Sequence, residues 1–158
     1  MDQTNELFMR EALRLAKISA LEGEVPVGAV VVLDGKIISC GRNRREIAKN
    51  ALCHAEIEAI ANACRELKGW RLWQCTLYVT LEPCPMCAGA IINARIPRLV
   101  YGASDPKAGS CGSVVNLFEL PYNHKPELVN GVLQEECSQI LKEFFQNLRA
   151  ERRKKILP

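Results

Sequence analysis

Two short motifs carry the residues best suited to chemistry: His54-Ala55-Glu56, and further along Pro83-Cys84-Pro85-Met86-Cys87. Together they offer one imidazole, two thiols and a carboxylate. Structural zinc sites are closed by four protein ligands, whereas catalytic ones use three and leave a position for water. His54, Cys84 and Cys87 make three, with Glu56 left over. The pattern predicts one zinc per chain, with a bound water or hydroxide in the fourth position. The alternative is a zinc that only supports folding, with Glu56 a surface residue.

Spacing supports the catalytic version. Cys84 and Cys87 are three apart, which places both sulfurs on one helical face. They fall at the start of a predicted helix, where free N–H groups and the helix dipole favour the thiolate that binds metal. A lone CxxC also suits a redox pair or half a zinc finger. No second CxxC exists, however, and the only other histidine, His124, sits in a Pro-flanked loop and is expected at the surface. His54 and Glu56, two apart, converge only in a helix's opening turn, and the break at Ala51-Leu52-Cys53 places such a start near His54. Two helix N-termini then point at one spot. Zinc lowers the pKa of its water to ~7, and the resulting hydroxide suits attack on an amidine-like carbon of a nucleobase. Ammonia leaves, and Glu56 is placed to carry the proton to it.

The elements that must position these groups alternate between strand and helix. Helical spacing covers about 4–21, ended by Gly23 and Pro26. Strands follow over 28–33 and 36–40, joined by Asp34-Gly35, a preferred type I′ hairpin pair. A polar loop is expected over 41–52, a helix from His54 to about 67 ended by Gly69, and a strand over 75–80. A helix from Cys84 to about 94, a strand over 98–102, irregular chain over 103–126, a short strand over 128–133 and a helix over 134–153 complete the chain. This predicts an α/β fold: one three-layer domain over 1–158, with a mixed central sheet of about five strands flanked by helices. Pro26 and Val27 open the first strand and Asn43 follows the second, so all three fit a substrate pocket. Asn can read a base edge with a donor and an acceptor, or merely satisfy its own loop. Glu82 reads equally as a turn or cap residue.

Composition bounds the rest. The chain has 158 residues, 48% of them hydrophobic, and no apolar run near the ~18 residues of a membrane span. A polar, acidic N-terminus is unlike a signal peptide, so the cytoplasm is expected. Apart from the CxxC pair, Cys40, Cys53, Cys64, Cys75, Cys111 and Cys137 are expected to be small buried hydrophobes. Formal charge is +3, yet residues 149–155 set five cations against one acid for a net +4. The body is therefore nearly neutral, and the helix end over about 149–158 is basic. Arg42, Arg44, Arg45 and Lys49 form a second basic cluster. Either cluster suits phosphates or simple solvation.

A histidine-x-glutamate with a downstream PCxxC is the signature of the zinc nucleobase deaminases. Over about residues 5–149 the chain resembles the bacterial tRNA-specific adenosine deaminases of the cytidine-deaminase-like superfamily. The resemblance rests on Glu24-Val-Pro-Val-Gly-Ala29, Gly41-Arg-Asn43, His54-Ala-Glu56, Pro83-Cys-Pro-Met-Cys-Ala-Gly-Ala90, Tyr101-Gly-Ala-Ser-Asp-Pro-Lys107 and Phe144-Phe145. It implies a homodimer with one zinc per subunit, converting adenosine to inosine at the wobble position of a tRNA anticodon arm. His54, Cys84 and Cys87 would bind the metal, Glu56 would shuttle protons and Asn43 would touch the base. Asp105 would accept from a ribose 2′-OH, with Lys107 meeting a phosphate; Asp105 capping its own turn is the alternative. Cys53 departs from the family, which commonly has a small residue there. The rival functions are a deaminase of a free base or nucleoside such as guanine or cytidine, and a zinc RNA-binding module without turnover.

Overall fold

The computed structural model describes residues 2–157. Helix α1 (Gln3–Leu21) is capped by the Asp2 carboxylate, which accepts from Thr4 N at 3.0 Å. Strands β1 (Gly28–Leu33) and β2 (Lys36–Arg42) form a hairpin. Asp34 and Gly35 at its tip have φ of 50° and 73°, the positive pair that a type I′ turn requires. A short helix α2 (Arg45–Ala48) leads to α3 (Ala55–Leu67). Then come β3 (Cys75–Leu81), α4 (Pro85–Asn93), β4 (Arg98–Ala103), a 3-10 turn (Leu117–Glu119), β5 (Glu127–Val129) and α5 (Gln134–Ile156).

The five strands lie in the order β2-β1-β3-β4-β5. β1 is antiparallel to β2 and β3, while β3, β4 and β5 run parallel, so the sheet is mixed. Alternation along β1 divides the core. Val30 and Val32 pack with Phe8, Met9, Ala12 and Cys137 under α1 and α5. Ala29 and Val31 pack with Ala55, Ala59, Ile60, Ala88 and Ile91 under α3 and α4. Three layers result, with helices on both faces of the sheet. Among the described residues no helix is long and apolar enough to cross a membrane.

Four expectations need correction. Residues 41–52 are not all loop, because β2 runs to Arg42 and α2 follows. The strand expected over 128–133 stops at Val129, since Gly131 and Leu133 take left-handed φ values of 77° and 51° that break the ladder. α3 is ended by Lys68, itself at φ 53°, rather than by Gly69, whose N–H caps Cys64 O at 3.1 Å. Of the six remaining cysteines, Cys75, Cys111 and Cys137 are buried. Cys40 on the edge strand β2, Cys53 in its loop and Cys64 on the flank of α3 are only half-buried.

Candidate metal centre and active site

The site lies where two helices begin. His54 is the N-cap of α3, in extended conformation, and its carbonyl accepts from Glu58 N at 3.1 Å. Cys84 is the N-cap of α4, with Pro85 in the first turn behind it. Proline at that position is preorganised for a helix and forces the preceding residue to be extended, so the sequence around Cys84 fixes both the helix start and the direction of the thiol. Cys87, one turn on, is fully buried. α3 is held close to the sheet by Gly41 of β2, where a Cβ would come within 2.6 Å of Ala59 N.

Among the described residues, His54, Cys84 and Cys87 form the one cluster able to hold a metal, their ligand atoms all within 4.8 Å of one another. His54 Nδ1 lies 3.6 Å from Cys84 Sγ and 3.5 Å from Cys87 Sγ. Tetrahedral zinc, at ~2.3 Å from sulfur and ~2.05 Å from nitrogen, separates such ligands by about 3.6 Å. The donor set and its spacing therefore fit zinc, with one tetrahedral position free of protein ligand. Hydrogen bonds from Cys87 and His54 hold the Cys84 thiol down to about 4, while the partnership with Cys84 raises both Cys87 and His54. A thiolate already favoured at Cys84 suits a cation, which would displace the shared protons.

Glu56 is buried, and that burial pushes its carboxyl up to about 7. With His54, Cys84, Asn43 and Asp105 it lines a cavity of about 200 Å³, whose other walls include Val25, Val27, Arg45, Leu81 and Glu82. The site thus gathers most of the expected residues. Pro26 is buried, but its neighbours Val25 and Val27 form the wall. Lys107 is exposed and lies outside the cavity, in a shallow groove against α5 with Lys142, Phe145 and Arg149. His124 is half-buried, its Nε2 2.7 Å from Ile96 O, so the surface expectation is corrected to a loop-anchoring role.

Asn43 is oriented by its own loop: Nδ2 donates to Val25 O at 3.1 Å and Oδ1 accepts from Arg45 N at 3.2 Å. One amide hydrogen and one lone pair are left over, which is what a base edge can use. Asp105 Oδ1 accepts from Lys107 N at 3.0 Å and Ala108 N at 3.3 Å, the geometry of a turn cap. Its place in the cavity lining leaves Oδ2 available to a ligand.

Two positioning carboxylates were missed or underrated. Glu24, 1% exposed, accepts from Glu46 N at 2.9 Å and Ile47 N at 3.3 Å, so it caps α2 and fixes the loop carrying Asn43 and Arg45. Glu82, 2% exposed, accepts from the amides of Asp105, Cys111 and Ser113 at 3.1–3.2 Å and from Ser113 Oγ. It is the hub of the opposite loop, beyond the turn or cap role read from its position. The available signal was an acid placed directly before Pro83 and the first cysteine ligand.

Comparison with known proteins agrees. The family model of the MafB19-like deaminases matches residues 3–149, so the fold and the site define a deaminase. The tRNA-specific adenosine deaminase of Bacillus subtilis (strain 168) is 49% identical over 150 residues, covering 94% of this chain and 93% of its own. The protein of the same description from Haemophilus influenzae is 49% identical over 151 residues, covering 94% and 87%. A solved structure from a study of A-to-I editing by tRNA:A34 deaminases at the wobble position superposes with a TM-score of 0.83 at 47% identity, covering 85% of this chain and 98% of the other. With such identity over nearly the whole length of both chains, this chain belongs to the tRNA-specific adenosine deaminase family.

Proposed function

We propose that this chain hydrolytically deaminates adenosine to inosine at the wobble position of a tRNA anticodon arm. The observation that carries the proposal is the cavity itself: a three-ligand centre at zinc spacing, with a buried carboxyl beside it that is not a ligand. One zinc per chain, held by His54, Cys84 and Cys87, supplies Lewis-acid activation of water when bound. Glu56 accepts a proton from the attacking water and delivers it to the departing amine nitrogen. Water and the 6-amino group exchange, and inosine and ammonia result. Burial holds the Glu56 carboxyl near neutrality, the range in which one group can both take and give a proton.

Asn43 and Val27 receive the base, with Pro26 buried behind Val27, and Asp105 takes the neighbouring ribose. Lys107 and the basic end over 149–158 meet phosphates from outside the cavity. The unit is a single deaminase domain, a homodimer, working in the cytoplasm where tRNA is modified. The relatives' names, which specify tRNA, and the basic end of a nearly neutral body support tRNA as the partner. A panel of anticodon stem-loop RNA, cytidine and guanine, read by ammonia release, tests the proposal. Turnover of the stem-loop alone is expected. Turnover of guanine or cytidine instead would replace it with a free-base or nucleoside deaminase, and no ammonia from any substrate would leave a binding module.

A further inference from the structure

The four cations ahead of α3 are not equivalent. Arg42 is bound to Glu22 at 2.9 Å and Arg44 to Glu58 at 2.7 Å. Lys49 is exposed, caps α2 in a left-handed conformation and does not line the cavity. Arg45 alone of the four lines the cavity, and its side chain remains 48% exposed. Its acidic contact among the described residues is Glu46 at 3.7 Å, itself 74% exposed. A pair that long and that open to water binds weakly.

The other charges of the lining sharpen this. Its carboxylates are Glu56, Glu82 and Asp105, and Arg45 is its one arginine or lysine. Glu82 is saturated by four donors from its own loop. Among the described residues neither Glu82 nor Asp105 pairs with Arg45, so its charge stays available at the cavity. A cavity of about 200 Å³ holds a base but not the sugar-phosphate chain on either side of it, so the phosphodiesters must lie at the mouth.

We infer that Arg45 clamps one of the two phosphates flanking the target nucleotide, and so selects a polynucleotide over a free base or nucleoside. This rests on the RNA reading above. The guanidinium offers five donors in a planar fork that fits a phosphate bidentately, which a lysine cannot reproduce. Glu24 is the positioning residue behind it, since its carboxylate fixes the first amides of α2 immediately after Arg45.

The test is a chemical double-mutant cycle on an anticodon stem-loop. Each phosphate flanking the target adenosine is replaced in turn by a neutral methylphosphonate, and each RNA is turned over by wild type, Arg45→Ala and Arg45→Lys, with zinc content measured throughout. Arg45→Ala should lose about tenfold in kcat/KM on the unmodified RNA, through KM, and Arg45→Lys a smaller part of it. One methylphosphonate should cost wild type a similar factor and cost Arg45→Ala nothing further, because the two changes remove the same contact. If both methylphosphonates cost Arg45→Ala as much as they cost wild type, Arg45 touches neither phosphate and the inference is wrong, while the RNA activity stands. A wild-type protein that leaves the stem-loop unchanged would overturn the functional reading, and this inference with it.

Discussion

Three side chains and one carboxyl define the chemistry, and each had a distinct signature in the sequence. The ligand spacing was legible because a metal constrains it: few arrangements of His54, Cys84 and Cys87 put donors about 3.6 Å apart. Replacing Cys84 and Cys87 together with alanine should abolish zinc in elemental analysis of a protein that otherwise carries one per chain. Zinc kept at full occupancy would mean that the metal is held elsewhere. Glu56→Gln keeps the volume of a buried side chain and removes its ability to carry a proton. That variant should hold its zinc and lose ~10²–10⁴ in kcat, the usual worth of a general acid–base group; near-normal turnover would take Glu56 out of the mechanism. Asn43 and Asp105 carried no such signature, because their amide and carboxylate serve both their own loops and the cavity. Residue type alone does not separate those two uses.

At the scale of elements, the strands and long helices were legible from periodicity, and the two loops that wall the cavity were not. α2 has four residues and no buried side chain, so no apolar pattern marks it. It exists because Glu24, from before β1, satisfies its first amides. The loop after β4 is likewise organised from a distance, by Glu82 at the end of β3, and Gly109 packs against that carboxylate, where a Cβ would come within 2.5 Å of Asp105 O. Such order is tertiary, and the acid placed directly before Pro83 is its one local trace. It also makes the loops separable from the core. Glu82→Ala orphans three amides, each worth ~1–3 kcal/mol if left buried and unpaired, and the loop can relieve this by opening to water. Amide exchange should quicken at Asp105, Cys111 and Ser113 while β1 and α3 stay protected, and kcat/KM should fall with zinc retained. Unchanged exchange at those amides would show that the carboxylate is not what holds the loop.

The whole molecule places a nearly neutral catalytic body beside one basic extension. α5 buries only Cys137 fully, and residues 149–157 are exposed throughout. Nothing in the core requires that last stretch, so its charge is free to serve a ligand. Its first residue, Arg149, shares a groove with Lys107, Lys142 and Phe145, which joins the tail to the loop bearing Asp105 and gives a basic path leading away from the cavity. A stem-loop seated with its base beside Glu56 would carry phosphates along that path. Ending the chain after Leu148 removes the net +4 of residues 149–155 and, among the described residues, no buried side chain. The shortened protein should melt close to the full chain, keep its zinc and deaminate at a similar kcat. Its affinity for stem-loop RNA should drop. The slope of log affinity against log salt should also become shallower by about 0.7–0.9 for each cation that had met a phosphate. That slope separates the two explanations of the tail: a solvating helix end contributes nothing to it, so an unchanged slope in the shortened chain would confine RNA binding to Arg45, Lys107 and the body.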